Sequence, residues 1–402
     1  MSYRYDKNGD ILHTGERYNK RDKSYQFRKM ENGITISVSA KTLDELRIKE
    51  KEIQRSQMLG VAFSNIILND LFNEFIETVK ARNIKEQSYK NYQRLWRLYI
   101  QDSIGKRKVN EIRSAELLKF INKTRQEKGL SYNSIKCMFN VLNMTFNYAL
   151  KSDLIFKNPC FHLLDYIGKE ETKAKKPLSE RQCEFIASWL ENHHNIDFRA
   201  SANIFVLGCN TGMRIGEILA LTWSDIDFKN ETIDVNKTLT ELARDNYKMS
   251  ISSTKTNSSN RIIPMREIVK DTLKKQRILQ FAKGNNNVEL DSRSDFVFVK
   301  SEGCLFRTKQ INYYLKQASK YYNQWEIATA EKENRKPELI ENISSHYMRH
   351  TYSTNLVNKG INIKTVQSIM GHSSIQTTID LYTHDSIEQN KKEIKKLDQI
   401  SV

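Results

Sequence analysis

The sequence predicts a multidomain protein that is mainly α-helical and carries small β-sheets. Residues 18–40 alternate between apolar and polar side chains, a pattern typical of strands that are buried on one face. In residues 61–167 the apolar side chains recur at intervals of three and four, which predicts amphipathic helices. Residues 178–402 mix both patterns, and we expect them to form an α+β domain.

The length and the charge narrow the range of functions. A chain of 402 residues is long enough for two or three domains, and its 65 lysines and arginines exceed its 48 acidic residues by 17. Such an excess favours a polyanionic partner, with nucleic acid as the first choice and an acidic membrane surface as the second. The five cysteines show no CxxC spacing, which argues against a disulfide framework and a zinc ribbon.

The sequence shows no signal for crossing a membrane. No apolar run approaches the ~20 residues of a membrane span. The N-terminal stretch MSYRYDKNGD also lacks the apolar core of a signal peptide. We therefore expect a cytoplasmic protein without a membrane partner.

Residues 1–60 are predicted to form a three-stranded sheet followed by a helix. Asn32 and Gly33 are typical of a hairpin turn, and the stretch TLDE that begins at Thr42 is a capping box for the helix. One face of the sheet is apolar, and the other carries polar residues that include Arg28. This polar face could enter the major groove of DNA, but a solvated sheet that caps the larger body fits the same residues.

Residues 61–167 are predicted to form a bundle of four amphipathic helices. The apolar faces comprise Leu68, Leu71, Phe72, Phe75, Ile76 and Val79, then Tyr89, Tyr92, Leu95, Trp96, Tyr99 and Ile100, then Leu117, Leu118 and Ile121, and finally Ile135, Met138, Phe139, Leu142, Phe146 and Leu150. Ser114 is expected to cap the third helix. The basic residues of the outer faces include Lys90, Arg94, Arg97, Lys106 and Arg107. They could contact phosphates or be merely solvated, and the net charge favours DNA.

The stretch GKEETKAKKP, residues 168–177, is polar and without periodicity, and we interpret it as a linker. In the domain that follows, SERQ at Ser179 is a second capping box. Helices are expected up to Leu207, short strands in residues 226–264, and helices again from about Thr308. Residues 323–336 are charged and weakly patterned, which suggests a surface loop or a frayed helix end.

Arg214 is the first candidate for anion binding. Asn210 or Thr211 is expected to cap a short helix, so that Arg214 lies in its first turn, where backbone N–H groups and the helix dipole favour an anion. Glu217, three residues further on, could orient the guanidinium. An ordinary Arg–Glu surface pair is the alternative interpretation.

Lys255 is the second candidate. Residues 248–265 contain Met249 and Ile251 on one arm and Ile262 on the other, which predicts a hairpin with Lys255 near its tip. A lysine on such a hairpin could reach into a site as a proton donor. Most hairpin lysines, however, only increase solubility.

Two histidines and an arginine follow in residues 344–360. Ser344 is expected to cap a helix on which His346, Arg349 and His350 lie along one side. A zinc site is disfavoured, because Arg349 would repel the cation and no further ligands are near in the sequence. A guanidinium flanked by imidazoles suits an oxyanion such as a phosphoryl group.

The last candidate segment spans residues 369–384. Gly371 is expected to end a helix that carries Ile363, Val366 and Met370, with His372 in the turn that follows. Next, a serine at 373 or 374 would cap a short helix that presents Tyr382.

Four stretches carry a family resemblance when they are read in order: TGMRIGE, TKT followed by RIIP, HYMRHTY and MGHSSIQTTIDLYTH. Together they resemble the motifs of the tyrosine recombinase (phage integrase) family, and the layout of the chain is similar to integrases of Gram-positive mobile elements. The resemblance implies an arm-site DNA-binding domain in residues 1–60 and a helical core-binding domain in residues 61–167. A catalytic domain with a C-terminal tail helix would occupy residues 178–402.

The resemblance also implies a role for each catalytic residue. Tyr382 would attack the scissile phosphate and form a 3′-phosphotyrosyl link. Arg214 and Arg349 would hold the non-bridging oxygens, and Lys255 would protonate the leaving 5′ oxygen. Clustered cations are what such a reaction needs, because a tyrosine with a pKa of ~10 is a poor nucleophile at neutral pH.

Histidines and their neighbours complete the implied site. His346 and His372 would bind the phosphate or help to remove the tyrosine proton, whereas Glu217 and His350 would support the residues that touch the phosphate.

The sequence departs from the family pattern at two points. His372 and Tyr382 are ten residues apart, one more than is common in the family, and no other tyrosine lies between them. Tyr347 and Met348 stand where the family often has aspartate and leucine, and we expect both to face away from the site.

The implied function is that of a site-specific recombinase that integrates and excises a mobile element through a Holliday junction, without metal or cofactor. Its partner would be double-stranded DNA with core and arm sites in a bacterial nucleoid. The family also implies a tetramer in which the C-terminal tail packs on a neighbouring protomer, with packing on its own domain as the alternative. A need for an excision factor or a host DNA-bending protein stays open. The competing functions are a type IB topoisomerase and a DNA-binding module that does not cleave.

Overall fold

The computed structural model describes residues 4–6, 8–31, 34–58, 66–81, 84, 86–168, 176–241, 249–253, 260–284, 288–341 and 343–371. The chain divides into two compact units, Met1–Lys173 and Ala174–Val402. Their boundary falls within the predicted linker segment 168–177, while the division into three domains stays a prediction. Within the described ranges no helix combines the length and the apolar character that a membrane span requires.

The first unit begins with the predicted antiparallel sheet. Its strands are β3, Glu16–Asn19, β4, Ser24–Glu31, and β5, Ile34–Ala40, and helix α1, Leu43–Met58, follows. Two short strands that the sequence did not predict, β1, Arg4–Tyr5, and β2, Ile11–Leu12, pair with each other before it. Tyr25, Phe27, Ala40, Leu43 and Leu46 form the core between sheet and helix. The Thr42 hydroxyl accepts a hydrogen bond from the Glu45 backbone, as the capping box predicted.

Four helices follow in the same unit. They are α2, Leu68–Ala81, α3, Glu86–Leu95, which continues into a π-helical turn at Trp96–Ile100, α4, Ser114–Lys128, and α5, Tyr132–Lys151. All six residues predicted for the apolar face of α2 are buried. Phe72 and Trp96 stack with ring centroids 3.9 Å apart and join α2 to the turn after α3.

Two details of this helical region differ from the prediction. Ser114 is the first residue of α4, and Arg113 holds the cap position without a side-chain hydrogen bond. In α5, Leu150 is exposed and Ala149 is buried in its place. The buried face continues from Phe146 by three residues to Ala149, whereas the prediction assumed four.

The second unit contains seven helices and five strands in its described part. The helices are α6, Glu180–Glu191, α7, Ile196–Thr211, α8, Ile215–Leu219, α9, Glu267–Ala282, α10, Thr308–Lys332, α11, Ser345–Asn358, and α12, Ile363–Met370. The strands are β6, Ile226–Asp227, β7, Thr232–Val235, β8, Lys237–Glu241, β9, Met249–Ser253, and β10, Arg261–Pro264. Ser179 and Gln182 form the predicted capping box of α6.

The predicted hairpin in residues 248–265 is wrong. Strand β9 pairs antiparallel with β8, and β10 pairs with β7, so the two arms belong to different sheets. Ile263 of β10 packs opposite Ile233, which leaves Ile262 two-thirds exposed. Residues 254–259, which include Lys255, lie outside the described residues.

Two helical regions of this unit were not predicted. Helix α9 was missed, and the charged stretch 323–336, expected to be a loop or frayed end, is helical as far as Lys332. Glu326 and Ala330 of this stretch are buried, as is Tyr322 directly before it. The Glu326 carboxylate accepts hydrogen bonds from the Arg335 guanidinium and, at 3.0 Å, from the Glu338 backbone. Because these partners satisfy the charge internally, a polar pattern here does not mean exposure.

Candidate active site

The turn between α7 and α8 depends on Gly212. Its φ of +65° ends α7 in the left-handed conformation, so Asn210 and Thr211 close α7 and do not cap α8 as expected. A Cβ atom at this position would lie 2.6 Å from the Met370 sulfur and 2.6 Å from a ring carbon of Tyr352. Only glycine therefore permits both this backbone conformation and the close packing of the turn.

Arg214 occupies the cap position of α8 itself. Its backbone N–H donates to Oε2 of Glu217 at 2.9 Å, and its Nη1 donates to Oε1 of Glu217 at 2.8 Å. Nη2 donates to the carbonyl oxygen of Gly371 at 3.1 Å. The side chain keeps 39% of its surface exposed, so the guanidinium is held in place and still reaches solvent. Glu217 thus lies beside Arg214, as the spacing in the sequence led us to expect, and its role in orienting Arg214 stays a prediction.

Glu217 also binds a second arginine. Arg261 of β10 donates from Nη2 to Oε2 of Glu217 at 2.8 Å, and only 5% and 2% of the two side chains are exposed. Burial by itself would raise the pKa of Glu217, but the hydrogen bonds and charges of Arg261 and Arg214 hold it below its usual range. Glu217 is therefore ionised at neutral pH and fixes both guanidinium groups.

Arg261 was not singled out from the sequence. Its position in the stretch RIIP could have identified it. Arg261 and Ile263 are two residues apart, so their side chains lie on the same buried face of the strand, where a charged residue is unusual. Such a residue needs a buried partner, and the four motifs contain two carboxylates, Glu217 and Asp380.

Arg349 comes from α11 and is buried, with 8% of its surface exposed. Its Nη1 donates to the carbonyl of Gly212 at 2.7 Å, and its Nη2 donates to the carbonyl of Met370. Burial, followed by the positive charge of Arg214, lowers the pKa of Arg349 to about 9. It stays protonated at pH 7, and neighbouring cations in a partly buried site favour the arrival of an anion.

The three arginines meet at the end of α12. The carbonyl oxygens of residues 369, 370 and 371 accept hydrogen bonds from Arg261, Arg349 and Arg214 respectively. Carbonyls at a helix C-terminus have no partner inside the helix and carry partial negative charge, so cations are favourable there. Gly371 ends α12 at a φ of +61°, as predicted, and His372 is the next residue in the chain.

The remaining residues of α11 lie at the edge of this cluster. Ser344 holds the predicted cap position, without a side-chain hydrogen bond. His346 is exposed, and His350 is half-buried with its ring perpendicular to that of Tyr347 at 6.2 Å. Tyr347 and Met348 are buried in the core of the unit, which agrees with the expectation that they face away from the arginines.

Lys255, His372 and Tyr382 lie outside the described residues. The strand that precedes Lys255 is nevertheless connected to the arginine cluster. Strand β9 pairs with β8, and β8 packs directly on α8, the helix that Arg214 caps. A Cβ atom at Gly216 of α8 would lie 2.6 Å from the Thr238 hydroxyl and 2.8 Å from the Leu239 carbonyl. Strand β9, which ends two residues before Lys255, is hydrogen-bonded along β8.

The candidates for DNA contacts in the first unit are exposed to different degrees. Lys106 pairs with Asp102 at 3.2 Å, Arg107 with Glu116 at 2.9 Å, and Lys90 with Glu86 at 2.8 Å. Arg94 and Arg97 of α3 and its π-helical turn are exposed, and no ion pair is found for either within the described part of the unit. Of these five candidates, Arg94 and Arg97 are therefore the most available to a phosphate.

The polar face of the N-terminal sheet carries Arg28, which is exposed. The neighbouring Arg17 was not singled out from the sequence. It donates from Nε and Nη2 to the Gln26 side-chain carbonyl at 3.0 and 2.7 Å, across the β3–β4 ladder. The two arginines thus stand on the same exposed face, opposite Tyr25 and Phe27.

Both family comparisons point to the same family. The Phage integrase family model matches residues 197–389, and the model described as Phage integrase, N-terminal SAM-like domain, matches residues 67–124. The first range contains every arginine of the cluster, and the second covers α2, α3 and most of α4.

Individual proteins are similar over nearly the whole chain. The transposase from transposon Tn916 of Enterococcus faecalis is 26% identical over 98% of this chain and 97% of its own length. A XerC-like tyrosine recombinase of Caldanaerobacter subterraneus subsp. tengcongensis is 29% identical over 92% and 94%. The structure of the Tn1549 transposon integrase in complex with transposon right end DNA matches with a TM-score of 0.71 and 28% identity, over 83% of this chain and 100% of that one.

Proposed function

The chain belongs to the phage integrase family of tyrosine recombinases, and from this premise we propose that it integrates and excises a mobile genetic element. It cleaves and rejoins DNA at specific sites. The integrase and transposase names of its relatives support the mobile element as the substrate, because the Tn916 transposase matches 98% of this chain and the Tn1549 integrase structure matches 83%.

The observation that carries the proposal is the meeting of Arg214 and Arg349 beside the end of α12. In the proposed reaction both guanidinium groups bind the non-bridging oxygens of the scissile phosphate. Negative charge grows on these oxygens as the phosphorane forms, and charged hydrogen-bond donors already fixed in place stabilise that charge. Glu217 fixes Arg214, so little reorganisation is needed when the phosphate arrives.

The proposed chemical step is a transfer of the phosphoryl group. The Tyr382 oxygen attacks the phosphorus, the bond to the 5′ oxygen breaks, and Lys255 supplies the proton that the leaving oxygen needs. His346 and His372 bind the phosphate or take the tyrosine proton, and His350, which follows Arg349 in α11, supports the residues that bind the phosphate. The phosphotyrosyl ester keeps the energy of the broken phosphodiester, so a 5′-hydroxyl can reverse the reaction and rejoin a strand.

We assign DNA binding to both domains of the first unit. The sheet face with Arg28 and Arg17 is proposed to bind arm-type sites, and Arg94, Arg97, Lys90, Lys106 and Arg107 to bind phosphates of the core site. We further propose a tetramer on DNA in which the C-terminal tail packs on the neighbouring protomer. Residues 372–402, and with them the tail, lie outside the described residues.

The test of the function is the formation of a covalent protein–DNA complex. The substrate is a nicked duplex that carries the end of the mobile element, incubated in EDTA and analysed on denaturing gels. We expect an SDS-resistant product with the wild type and none with Tyr382→Phe. Tight binding of this DNA without a covalent product would instead identify a DNA-binding module.

A second assay separates recombination from topoisomerase activity. A supercoiled plasmid without attachment sites is incubated with the protein, beside a plasmid that carries them. A recombinase acts only on the second plasmid and exchanges strands between two sites. Relaxation of both plasmids at equal rates, without strand exchange, would identify a type IB topoisomerase.

A further inference from the structure

Arg261 is a buried cation for which the proposed reaction has no direct use. We propose that it is a positioning residue for strand cleavage. This inference rests on the proposed function. It fixes the C-terminal turn of α12, from which the chain continues into His372 and Tyr382, against Glu217 of α8.

Arg261 bridges two elements with one planar group. From β10 it donates through Nη2 to Oε2 of Glu217 at 2.8 Å and through Nη1 to Oε1 at 3.3 Å. Its Nε donates to the carbonyl of Ile369 at 2.6 Å. A guanidinium is rigid, so the position of the Glu217 carboxylate determines where the Ile369 carbonyl is held.

The exposure of the side chains distinguishes Arg261 from a phosphate ligand. The side chain of Arg261 is 5% exposed, whereas that of Arg214, which shares Glu217, is 39% exposed. Arg214 can turn donors towards DNA while it holds Gly371, and Arg261 is enclosed between Glu217 and α12. Its effect on a phosphate must therefore be exerted through the residues that it holds.

The held turn leads into the proposed catalytic segment. Arg261 acts on the carbonyl of residue 369, and the other two arginines act on the next two carbonyls, immediately before His372. Loss of the first contact frees the turn to shift relative to Arg214. A shift of about 1 Å between reacting groups is enough to slow a reaction by roughly 100-fold.

The test uses Arg261→Lys, because lysine keeps the charge beside Glu217. The guanidinium donates to the Glu217 carboxylate and to the Ile369 carbonyl at the same time. A single ammonium cannot reproduce this geometry, so the contact with Ile369 is lost. We expect the variant to fold, to bind the nicked attachment-site duplex with an affinity within about threefold of the wild type, and to cleave it 10- to 100-fold more slowly. Single-turnover cleavage separates the rate constant from the fraction of active protein.

Arg199→Lys is the matched control, since Arg199 is an exposed arginine of α7 in the same unit. We expect it to cleave at the wild-type rate. Arg261→Gln, compared by circular dichroism and the same assay, should be at least as slow as Arg261→Lys. A merely structural role would reduce the active fraction and leave the rate constant unchanged.

Three outcomes would overturn the inference while the proposed function stands. They are wild-type cleavage by Arg261→Lys, loss of DNA affinity in proportion to the loss of cleavage, and failure of both Arg261 variants to fold. If the wild type itself forms no covalent product, the proposed function fails and the inference fails with it.

Discussion

The buried guanidinium of Arg349 donates a 2.7 Å hydrogen bond from Nη1 to the carbonyl oxygen of Gly212. Gly212 lies two residues before Arg214, so α11 holds the turn that presents the arginine of α8. The two arginine motifs of the sequence are thus joined by a backbone contact, in addition to the phosphate that we propose they share. A change in the turn should therefore affect stability and the site together.

The first prediction concerns Gly212→Ala. Alanine at a φ of +65° costs about 1 kcal/mol or more. Its Cβ would also lie 2.6 Å from side-chain atoms of Met370 and Tyr352, and such overpacking typically costs a further 1–3 kcal/mol. We expect a clear drop in the melting temperature of the full chain, measured by calorimetry.

Gly284→Ala is the control for this substitution. Gly284 has a similar φ of +73°, but nothing lies within 4 Å of an added Cβ. The melting temperature of Gly284→Ala should therefore fall only by the amount that the positive φ of alanine costs, without the overpacking. Equal losses for the two variants would show that the turn can adjust around Met370 and Tyr352, contrary to the packing described above.

The predictable part of the fold is the part governed by local periodicity. The six buried residues of α2 and the capping box at Ser179 follow from spacing alone, and the structure has both. The pairing of β9 with β8 does not follow, because a strand with two neighbours in sequence can pair with either, and tertiary packing decides.

The candidate site likewise contains residues that the sequence identified and one residue that it did not. Arg214, Glu217 and Arg349 were recognisable from motifs, and the structure brings them together. Arg261 was not, because its role depends on a buried partner from another element and on a backbone carbonyl of a third. A single sequence does not reveal such contacts between distant segments.

The second prediction is that Arg349→Lys lowers cleavage more than binding. Lysine can keep the charge but cannot hold the carbonyls of Gly212 and Met370 and a phosphate together. Loss of one fixed donor to a developing oxyanion costs about 100- to 1,000-fold in rate. Single-turnover formation of the covalent complex measures it, and an effect confined to DNA affinity would contradict the role proposed for Arg349.

The third prediction concerns the exposed arginines of the helical region. Each protein–phosphate contact contributes about 0.9 to the slope of log affinity against log salt concentration on duplex DNA. Replacement of Arg94 and Arg97 by alanine should therefore reduce the magnitude of this slope by about 2. Fluorescence anisotropy with a core-site duplex at several salt concentrations gives the slope.

Lys123→Ala is the comparison for these two arginines. Lys123 is an exposed lysine of α4 that pairs with Glu127 at 3.7 Å, and the sequence did not select it for DNA binding. Its removal should leave the slope unchanged. If the double arginine variant retains the wild-type slope, neither Arg94 nor Arg97 contacts a phosphate in the complex.

The fourth prediction concerns Glu50 of α1 and the N-terminal sheet. Burial, followed by the negative charge of Glu16, raises the pKa of Glu50 to about 7, and its Oε1 is buried without a hydrogen-bond partner in the described structure. Since the folded-state pKa lies above the unfolded one, the fold favours the protonated carboxyl. The stabilisation of the N-terminal sheet by the protonated carboxyl is fully present below the unfolded pKa of 4.5. It decreases as the pH rises from there through 7.

Glu50→Gln should remove this pH dependence, because the amide stays neutral. Above pH 7 the gain could reach about 3 kcal/mol for local unfolding of the sheet. Hydrogen exchange of the β3–β5 amides in the full chain, with both proteins compared at pH 5 and again at pH 8, measures it. We expect slower exchange in the variant at pH 8 and little difference at pH 5. Equal protection of wild type and Glu50→Gln at pH 8 would mean that Glu50 is accommodated in its ionised form, which the positive charge of Arg47 favours.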